Sequence, residues 1–419
     1  MRVLLFGFGS RGDVQPFIAL GKGLQRAGYE VTLAVGKNFE SWVKSEGLPF
    51  EPIRVDVEAL VQGDVGKDWI NRENQNPMEE IRSMKRMTDS IAAEVVPDML
   101  AALDRYDVFI SGVLTVEAMN AAAESRGKTH IVGTMTPWTP TRSGASGMNA
   151  PIPRGDSLIN LIFGYVVEVM MSNVLRSPSA AVRSALKLRP PTPVDFMRAW
   201  NRAPTLMGIS PLVTPHPPDW GDNLHVTGYW FLDRSPDWQP SPELTAFLDA
   251  GDPPVYIGFG SMSSRDPESM LKLMLAAVEK TGQRAVIHSG WAGLRADDLP
   301  SNICLIDSVP HDWLFPRMAG VIHHGGAGTT AAGLCAGVPS LVVAHIGDQP
   351  YWGRRIHELG VAPPPILRHK MTAENLSESI RLLTTDREMR VRAAAFGEQI
   401  RAENGIENAV RAFGQITGT

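Results

Sequence analysis

Val3-Leu4-Leu5-Phe6-Gly7-Phe8-Gly9-Ser10-Arg11-Gly12-Asp13-Val14-Gln15-Pro16 is the stretch on which the fold turns. Val3–Phe6 is a continuous apolar run that stops at Gly7, the pattern of a strand buried on both faces of a parallel sheet. The polar loop continues through Asp13 to Pro16, so the helix is expected to start late, over Gln15–Ala27. Phe17, Ile18, Leu20 and Leu24 fall at helical spacing there, and Gly28 follows as a stop. Glu30–Val35 is the next strand. Strand, helix and strand in this order predict a doubly wound α/β domain. Val108–Ser111 and His130–Gly133 read as later strands of the same sheet.

Further along, Pro215, Pro217, Pro218, Pro236, Pro240, Pro242, Pro253 and Pro254 crowd a polar stretch that reads as an interdomain connection. The alternation then restarts. Val255–Phe259, Ala285–His288, Ile303–Ile306, Val321–His323 and Ser340–Ala344 read as strands; Pro267–Lys280, Ala327–Ala336 and Gln349–Leu359 read as helices, and helical patterns continue from Ala373 to Thr419. The expected division is an N-terminal domain over 1–212, a linker and the start of the second domain over 213–254, and a second domain over 255–395. Two α/β halves joined by a Pro-rich linker imply a cleft between them, with ligands at the carboxyl ends of the strands.

Composition narrows the function classes. The chain has 419 residues, 43% hydrophobic and 20% charged, which excludes disorder, collagen and coiled coil. Lys plus Arg number 40 and Asp plus Glu 45, a net charge of −5, so overall charge does not mark the chain for nucleic acid or an anionic membrane. Two cysteines, Cys304 and Cys335, exclude a disulfide scaffold and fit a reducing compartment. The apolar start is too short for a signal peptide, and Leu158–Leu175 is interrupted by Asn160, Glu168 and Asn173. The expectation is a cytoplasmic protein.

Two glycine loops carry chemistry. Gly7-Phe8-Gly9-Ser10-Arg11-Gly12 has the alternating glycines of a dinucleotide loop, but no acidic residue ends the second strand at Ala34-Val35-Gly36-Lys37 to hold a ribose. A turn that merely joins strand to helix accounts for the glycines, not for Ser10, Arg11 and Asp13 beside them. His323-His324-Gly325-Gly326-Ala327-Gly328-Thr329-Thr330 lies between a strand and a helix. Its small residues let an anion approach the backbone, and the helix dipole favours phosphate. His324 adds a donor, and Thr329 and Thr330 cap the helix or donate to the phosphate. No Lys follows the glycines, so this is not a Walker loop. Gly347-Asp348-Gln349-Pro350 pairs a carboxylate with an amide, which suits vicinal sugar hydroxyls and equally a helix cap. No metal-ligand helix and no serine nucleophile elbow occurs.

The order of these motifs resembles a family 1 glycosyltransferase of the GT-B fold. Gly9–Pro16, Val309-Pro310-His311-Asp312-Trp313-Leu314-Phe315-Pro316, His323–Thr330 and Gly347–Gln349 carry the likeness. Sterol glucosyltransferases and the bacterial enzymes that glycosylate macrolide and glycopeptide aglycones are the most similar groups. The resemblance implies inverting transfer from a nucleotide sugar, UDP-glucose or a dTDP-sugar, with no metal or other cofactor. It places the donor on the C-terminal half. Val309 and His311 would meet the nucleotide; His324, Gly326, Ala327, Gly328 and Thr329 the diphosphate, with Ser261 nearby; Asp348 and Gln349 the sugar. Ser10, Arg11, Gly12 and Asp13 would reach the donor from the other half. Many relatives carry a His as general base in the first loop; the comparable residue here is Asp13. Trp291 is a candidate stacking face for the base. The resemblance also implies that the C-terminal helix, expected over 396–419, crosses back to the N-terminal domain, with Ile406, Val410 and Phe413 as its apolar contacts. A 2-epimerase or hydrolase of the same fold and a silent nucleotide-sugar binding protein are the alternatives.

The acceptor side is read from Leu158 to Arg176. Asn160, Gly164, Glu168, Ser172 and Arg176 recur every four residues, and almost everything between is apolar. As a helix this gives a narrow polar stripe and a wide apolar face. That face is a wall of an apolar acceptor cleft with Phe163 and Met170, a surface that touches a membrane to collect a lipid, or the core side of a buried helix. Trp138, in a Pro-Trp-Thr segment similar to that of sterol glucosyltransferases, would lie along a flat lipophilic acceptor.

Overall fold

The computed structural model describes residues 1–55, 77–144, 155–259, 267–288 and 299–419. The chain forms two compact units, Met1–Leu232 with Asn404–Thr419, and Asp233–Glu403. In place of the expected boundaries at 212 and 254, the first unit gives way to the second between Leu232 and Asp233.

The first unit holds a seven-stranded sheet in the order β3-β2-β1-β4-β5-β6-β7, every neighbouring pair parallel. The strands are β1 (Arg2–Phe6), β2 (Glu30–Gly36), β3 (Phe50–Ile53), β4 (Val108–Ser111), β5 (Thr129–Thr134), β6 (Thr205–Met207) and β7 (Leu224–Val226). Side chains of β1 alternate between two core layers. Val3 and Leu5 pack with Phe17, Ile18, Leu20 and Leu24, while Leu4 and Phe6 pack with Val95, Met99 and Met119. This two-sided burial is why the strand carries no polar residue after Arg2. β7 lies within the Pro-rich stretch; its three residues pair with β6, and Trp230 just beyond is buried in the first core layer. Proline crowding masked an edge strand so short that its pattern carries little signal.

Helix α1 spans Arg11–Arg26, so it begins four residues earlier than expected. A capping box explains the difference: the Ser10 side chain and the Asp13 side chain cap each other's backbone, which fixes the helix start ahead of Pro16. Pro16 then sits in the second turn, where it forfeits one intrahelical bond. Helices α2 (Leu158–Val174) and α3 (Arg176–Ala185) follow β5.

The second unit holds a six-stranded parallel sheet, β10-β9-β8-β11-β12-β13. Its strands are β8 (Val255–Gly258), β9 (Ala285–His288), β10 (Ile303–Ile306), β11 (Gly320–His323), β12 (Ser340–Ala344) and β13 (Ile366–Leu367). Helix α4 (Ala327–Ala336) follows β11 and α5 (Gln349–Glu358) follows β12. Each sheet begins at its middle and winds outward in both directions, the doubly wound arrangement.

The end of the chain divides differently from expectation. Arg387–Arg401 is a helix of the second unit, packed against α4, where Arg401 donates to the Cys335 carbonyl. Only from Asn404 does the chain belong to the first unit, where α6 (Gly405–Thr417) packs on α1. Any side chain at Gly405 would collide with the Tyr229 carbonyl, 2.2 Å from an ideal Cβ, so glycine permits the docking. Phe413 is fully buried, edge-on to Tyr29 with ring centroids 4.9 Å apart, and Ile406 and Val410 pack beside it. Truncation of such a phenylalanine costs roughly 3–5 kcal/mol.

Candidate functional site

The β11–α4 turn is built to leave a helix end open. His323 is fully buried, and its Nδ1 accepts the Gly325 N–H at 3.0 Å, which folds the turn back on the strand. Gly325 has φ +91°, and a Cβ there would lie 2.5 Å from Val342, so only glycine fits. Gly326 is the N-cap of α4 and provides no side-chain cap. The first N–H groups of a helix have no intrahelical acceptor, so those of Ala327, Gly328 and Thr329 face outward at the positive end of the dipole. The Thr330 hydroxyl donates back to the Gly326 carbonyl at 2.9 Å and is thus committed to the helix, whereas Thr329 is half-buried and Gly328 is exposed.

Imidazoles surround this turn in neutral form. Burial pushes His324 down to about 4 and His345 down to about 3. His323 lies well below the usual range through burial, reinforced by His324 and His311. His324 Nδ1 is buried with no hydrogen-bond partner, and its Nε2 lies where a side chain at Gly326 would begin, 2.5 Å from an ideal Cβ. A neutral histidine at a glycine-capped helix end can gain a proton or donate one to an incoming anion.

The neighbouring β12–α5 turn is pinned by its own polar residues. Gln349 is buried and its Oε1 accepts the N–H groups of His345 at 2.7 Å and Ile346 at 3.1 Å. Asp348 Oδ2 accepts the Trp352 indole N–H at 2.8 Å, which orients the carboxylate one turn above it. His311 stacks on Phe315, with centroids 4.3 Å apart and planes at 14°, and meets the edge of Tyr256. Val309 packs partly buried beside them. Ser261 and Trp291 lie outside the described residues.

In the first unit, Ser10 and Asp13 are tied to one another. Asp13 Oδ2 accepts the Ser10 N–H at 2.7 Å and the Ser10 hydroxyl at 3.1 Å, and Ser10 Oγ accepts the Gly12 N–H at 3.3 Å. Asp13 is exposed. The Arg11 guanidinium lies 4.6 Å from the Trp42 ring centroid. Trp42 has no sequence signal linking it to this turn. Trp352 does have one, since an aspartate four residues earlier on a helix faces the same side.

The expected acceptor residues lie on and beside α2. Trp138 is half-buried against Trp200, ring centroids 6.0 Å apart, over a small cavity of about 10 Å³ that Thr134, Thr205 and Met207 also line. Trp200 Nε1 is buried without a partner. Phe163 and Met170 are half-buried on the flank of α2. The helix itself is turned inside out relative to ordinary amphipathicity. Asn160, Glu168 and Ser172 of the polar stripe are 1–4% exposed, whereas Leu158, Ile159, Ile162, Tyr165, Val166 and Val169 are 40–62% exposed. The buried polar groups are paired: Asn160 donates to the carbonyls of Arg142 and Gly155, and the Asn201 amide donates to both oxygens of Glu168. Burial, only partly offset by Asn201, pushes Glu168 up to about 8, so it is mostly protonated at neutral pH.

Comparison with known proteins agrees with this geometry. Residues 3–132 match the glycosyltransferase family 28 N-terminal domain, and residues 272–411 match the erythromycin biosynthesis protein CIII-like C-terminal domain. The glycosyltransferase of kitacinnamycin superposes with a TM-score of 0.73 at 18% identity, over 99% of this chain and 98% of that one. A Streptomyces glycosyltransferase solved with thymidine diphosphate gives 0.63 at 19%, over 99% of each. The fold is therefore that of the GT-B glycosyltransferases. One sterol 3-beta-glucosyltransferase of Arabidopsis thaliana is 34% identical over 99% of this chain and 65% of its own length. A second from the same plant is 35% identical over 99% and 68%, and one from Emericella nidulans is 33% identical over 99% and 30%. The chain belongs to the sterol 3-beta-glucosyltransferase family of GT-B glycosyltransferases, and spans less than two thirds of the first of these relatives and under a third of the fungal one.

Proposed function

We propose that this chain transfers a sugar, glucose from UDP-glucose in the first instance, to a hydroxyl of a lipophilic acceptor such as a sterol or polyketide, with inversion and without a metal ion. The observation that carries the reading is the open N-terminus of α4. Its glycine cap, outward N–H groups and neutral His324 form an anion site of diphosphate character. Gly326, Ala327, Gly328, Thr329 and His324 hold the diphosphate. Val309 and His311 meet the nucleoside, and Ser261 adds a contact to phosphate. Asp348, oriented by Trp352, and Gln349 hold the sugar hydroxyls, and Ser10, Arg11 and Gly12 complete the donor contacts. Trp138, Phe163 and Met170 contact the acceptor.

The step is a single displacement. The acceptor oxygen bonds to the anomeric carbon from the face opposite the diphosphate, the carbon–diphosphate oxygen bond breaks, and the acceptor proton passes to Asp13. Charge gathering on the leaving diphosphate is met by the α4 amides and by His324, which gains basicity as the anion arrives. The test is turnover of UDP-glucose with and without a panel of sterol and polyketide acceptors, followed by mass spectrometry in the presence of EDTA. A glycosylated acceptor at undiminished rate supports the reading. Free glucose as the sole product, or strict dependence on Mg²⁺ or Mn²⁺, overturns it.

A further inference from the structure

We propose that the outward face of α2 docks the protein on anionic phospholipid bilayers. This goes beyond the transferase reading, since it concerns side chains assigned no part in binding either substrate. The face is formed by Leu158, Ile159, Ile162, Tyr165, Val166 and Val169, all exposed, and no charged residue interrupts it. The only carboxyl or basic side chain from Leu158 to Val174 is Glu168, which points the other way and is buried against Asn201. A soluble helix ordinarily hides such a face; a contiguous exposed apolar patch marks an interaction surface. Apolar side chains on one side of a surface helix and basic residues around it are the pattern of interfacial membrane binding.

Charge selects the occupant. The chain as a whole carries −5, yet residues 157–203 contain six basic residues, Arg176, Arg183, Lys187, Arg189, Arg198 and Arg202, against two acidic ones, Glu168 and Asp195. Both acidic groups are buried, whereas Arg176, Lys187, Arg198 and Arg202 are exposed. A second copy of this chain would set like charges against each other, whereas an anionic headgroup layer neutralises them. No described helix is long and apolar enough to cross a membrane; α2 and α3 reach that length only together and are bent by 59° between them. The helix therefore lies on the bilayer with its six apolar side chains down.

Co-sedimentation of the full chain with phosphatidylcholine vesicles, with and without phosphatidylglycerol, tests the proposal without donor or acceptor, so its outcome is separate from that of the transferase assay. The expected result is binding to vesicles that contain phosphatidylglycerol, weakened by salt. Ile162→Ser/Val166→Ser/Val169→Ser should lower partitioning roughly tenfold or more. Lys187→Glu/Arg198→Glu should lower only the phosphatidylglycerol-dependent part, by roughly fivefold per charge. Transfer to a water-soluble acceptor should be unchanged by the serine substitutions. Tyr165→Trp keeps the face apolar and should show an emission blue shift on addition of the anionic vesicles. Equal partitioning of the wild type and the serine variant, or an emission that does not move, overturns the proposal. So does a dimer in light scattering that the serine variant dissociates, which would make a second copy the occupant.

Discussion

The two units open their glycine turns in opposite ways. In the first, β1 passes through Gly7 and Gly9 into α1, and Ser10 and Asp13 close the helix end with their own oxygens. In the second, β11 passes through Gly325 and Gly326 into α4, and among the described residues no side chain caps it. Both are strand, glycine turn and helix, yet one carries a carboxylate where the other carries bare amides. The bare amides of the second draw an anion, whereas at the first the Asp13 carboxylate opposes one and the exposed Arg11 beside it favours one. A glycine loop therefore tells less about ligand than the residue at the cap does. On the function proposed above the turns would have different tasks, proton acceptance at α1 and diphosphate binding at α4.

The strongest test of that contrast is Asp13→Asn. The asparagine oxygen can still accept from Ser10, so the cap survives and only the basic group is lost. We expect kcat to fall by ~10²–10⁴ with UDP affinity little changed. A variant with near-full kcat would leave the α1 cap as structure alone. At α4, His324→Ala and Gly326→Asp should each weaken UDP binding about tenfold or more in titration calorimetry. The first removes a charge-assisted bond of roughly 1.5–3 kcal/mol. The second places a carboxylate at the start of α4, as Asp13 does in the first turn of α1, and pushes against His324. UDP bound as tightly by Gly326→Asp as by the wild type would end the comparison.

Smaller effects sharpen it. Ser10→Ala should cost about 1 kcal/mol in urea denaturation, the usual loss for a helix cap. No such site exists at Gly326. Two buried groups, His324 and Glu168, should also shape the pH dependence of stability with opposite sign. His324 stays neutral down to about 4 in the folded protein, while an unfolded imidazole takes its proton near 6.5. The unfolded chain then binds more protons, and stability falls as pH drops through that interval. Glu168 keeps its proton up to about 8 when folded but loses it near 4.5 when unfolded, so stability falls as pH rises from 4.5 to 8. His324→Gln should flatten only the acid side of the urea midpoint profile, and Glu168→Gln only the alkaline side. A profile left unchanged by both would remove the burial argument.

Much of the fold was legible because parallel strands buried on both faces are written as bare apolar runs. Val3–Phe6, Val255–Gly258 and Ser340–Ala344 show this directly. The start of α1 was not, because Pro16 pointed to a late beginning while the Ser10–Asp13 cap fixed an early one. β7 was hidden by its prolines. For α2 the spacing of Asn160, Glu168 and Ser172 separated polar from apolar correctly, but periodicity gives the angle between faces, not which one points inward. That was decided by partners far along the chain, Arg142 and Asn201. The α4 turn could be read from its glycines and histidines. Trp42 beside Arg11 and Trp200 beside Trp138 could not, since only the folded chain brings those pairs together.

The return of α6 to the first unit has a consequence for biosynthesis. A ribosome delivers Met1–Leu232 first, yet the core layer around Leu20 and Leu24 lacks Phe413 and Ala409 until the α6 segment emerges. Asp233–Glu403 is continuous and has all its strands before that moment. The unit translated second is thus the first that can finish folding, and the nascent first unit waits with an uncovered groove along α1 that a chaperone, or a trailing α6 from a neighbouring nascent chain, could occupy.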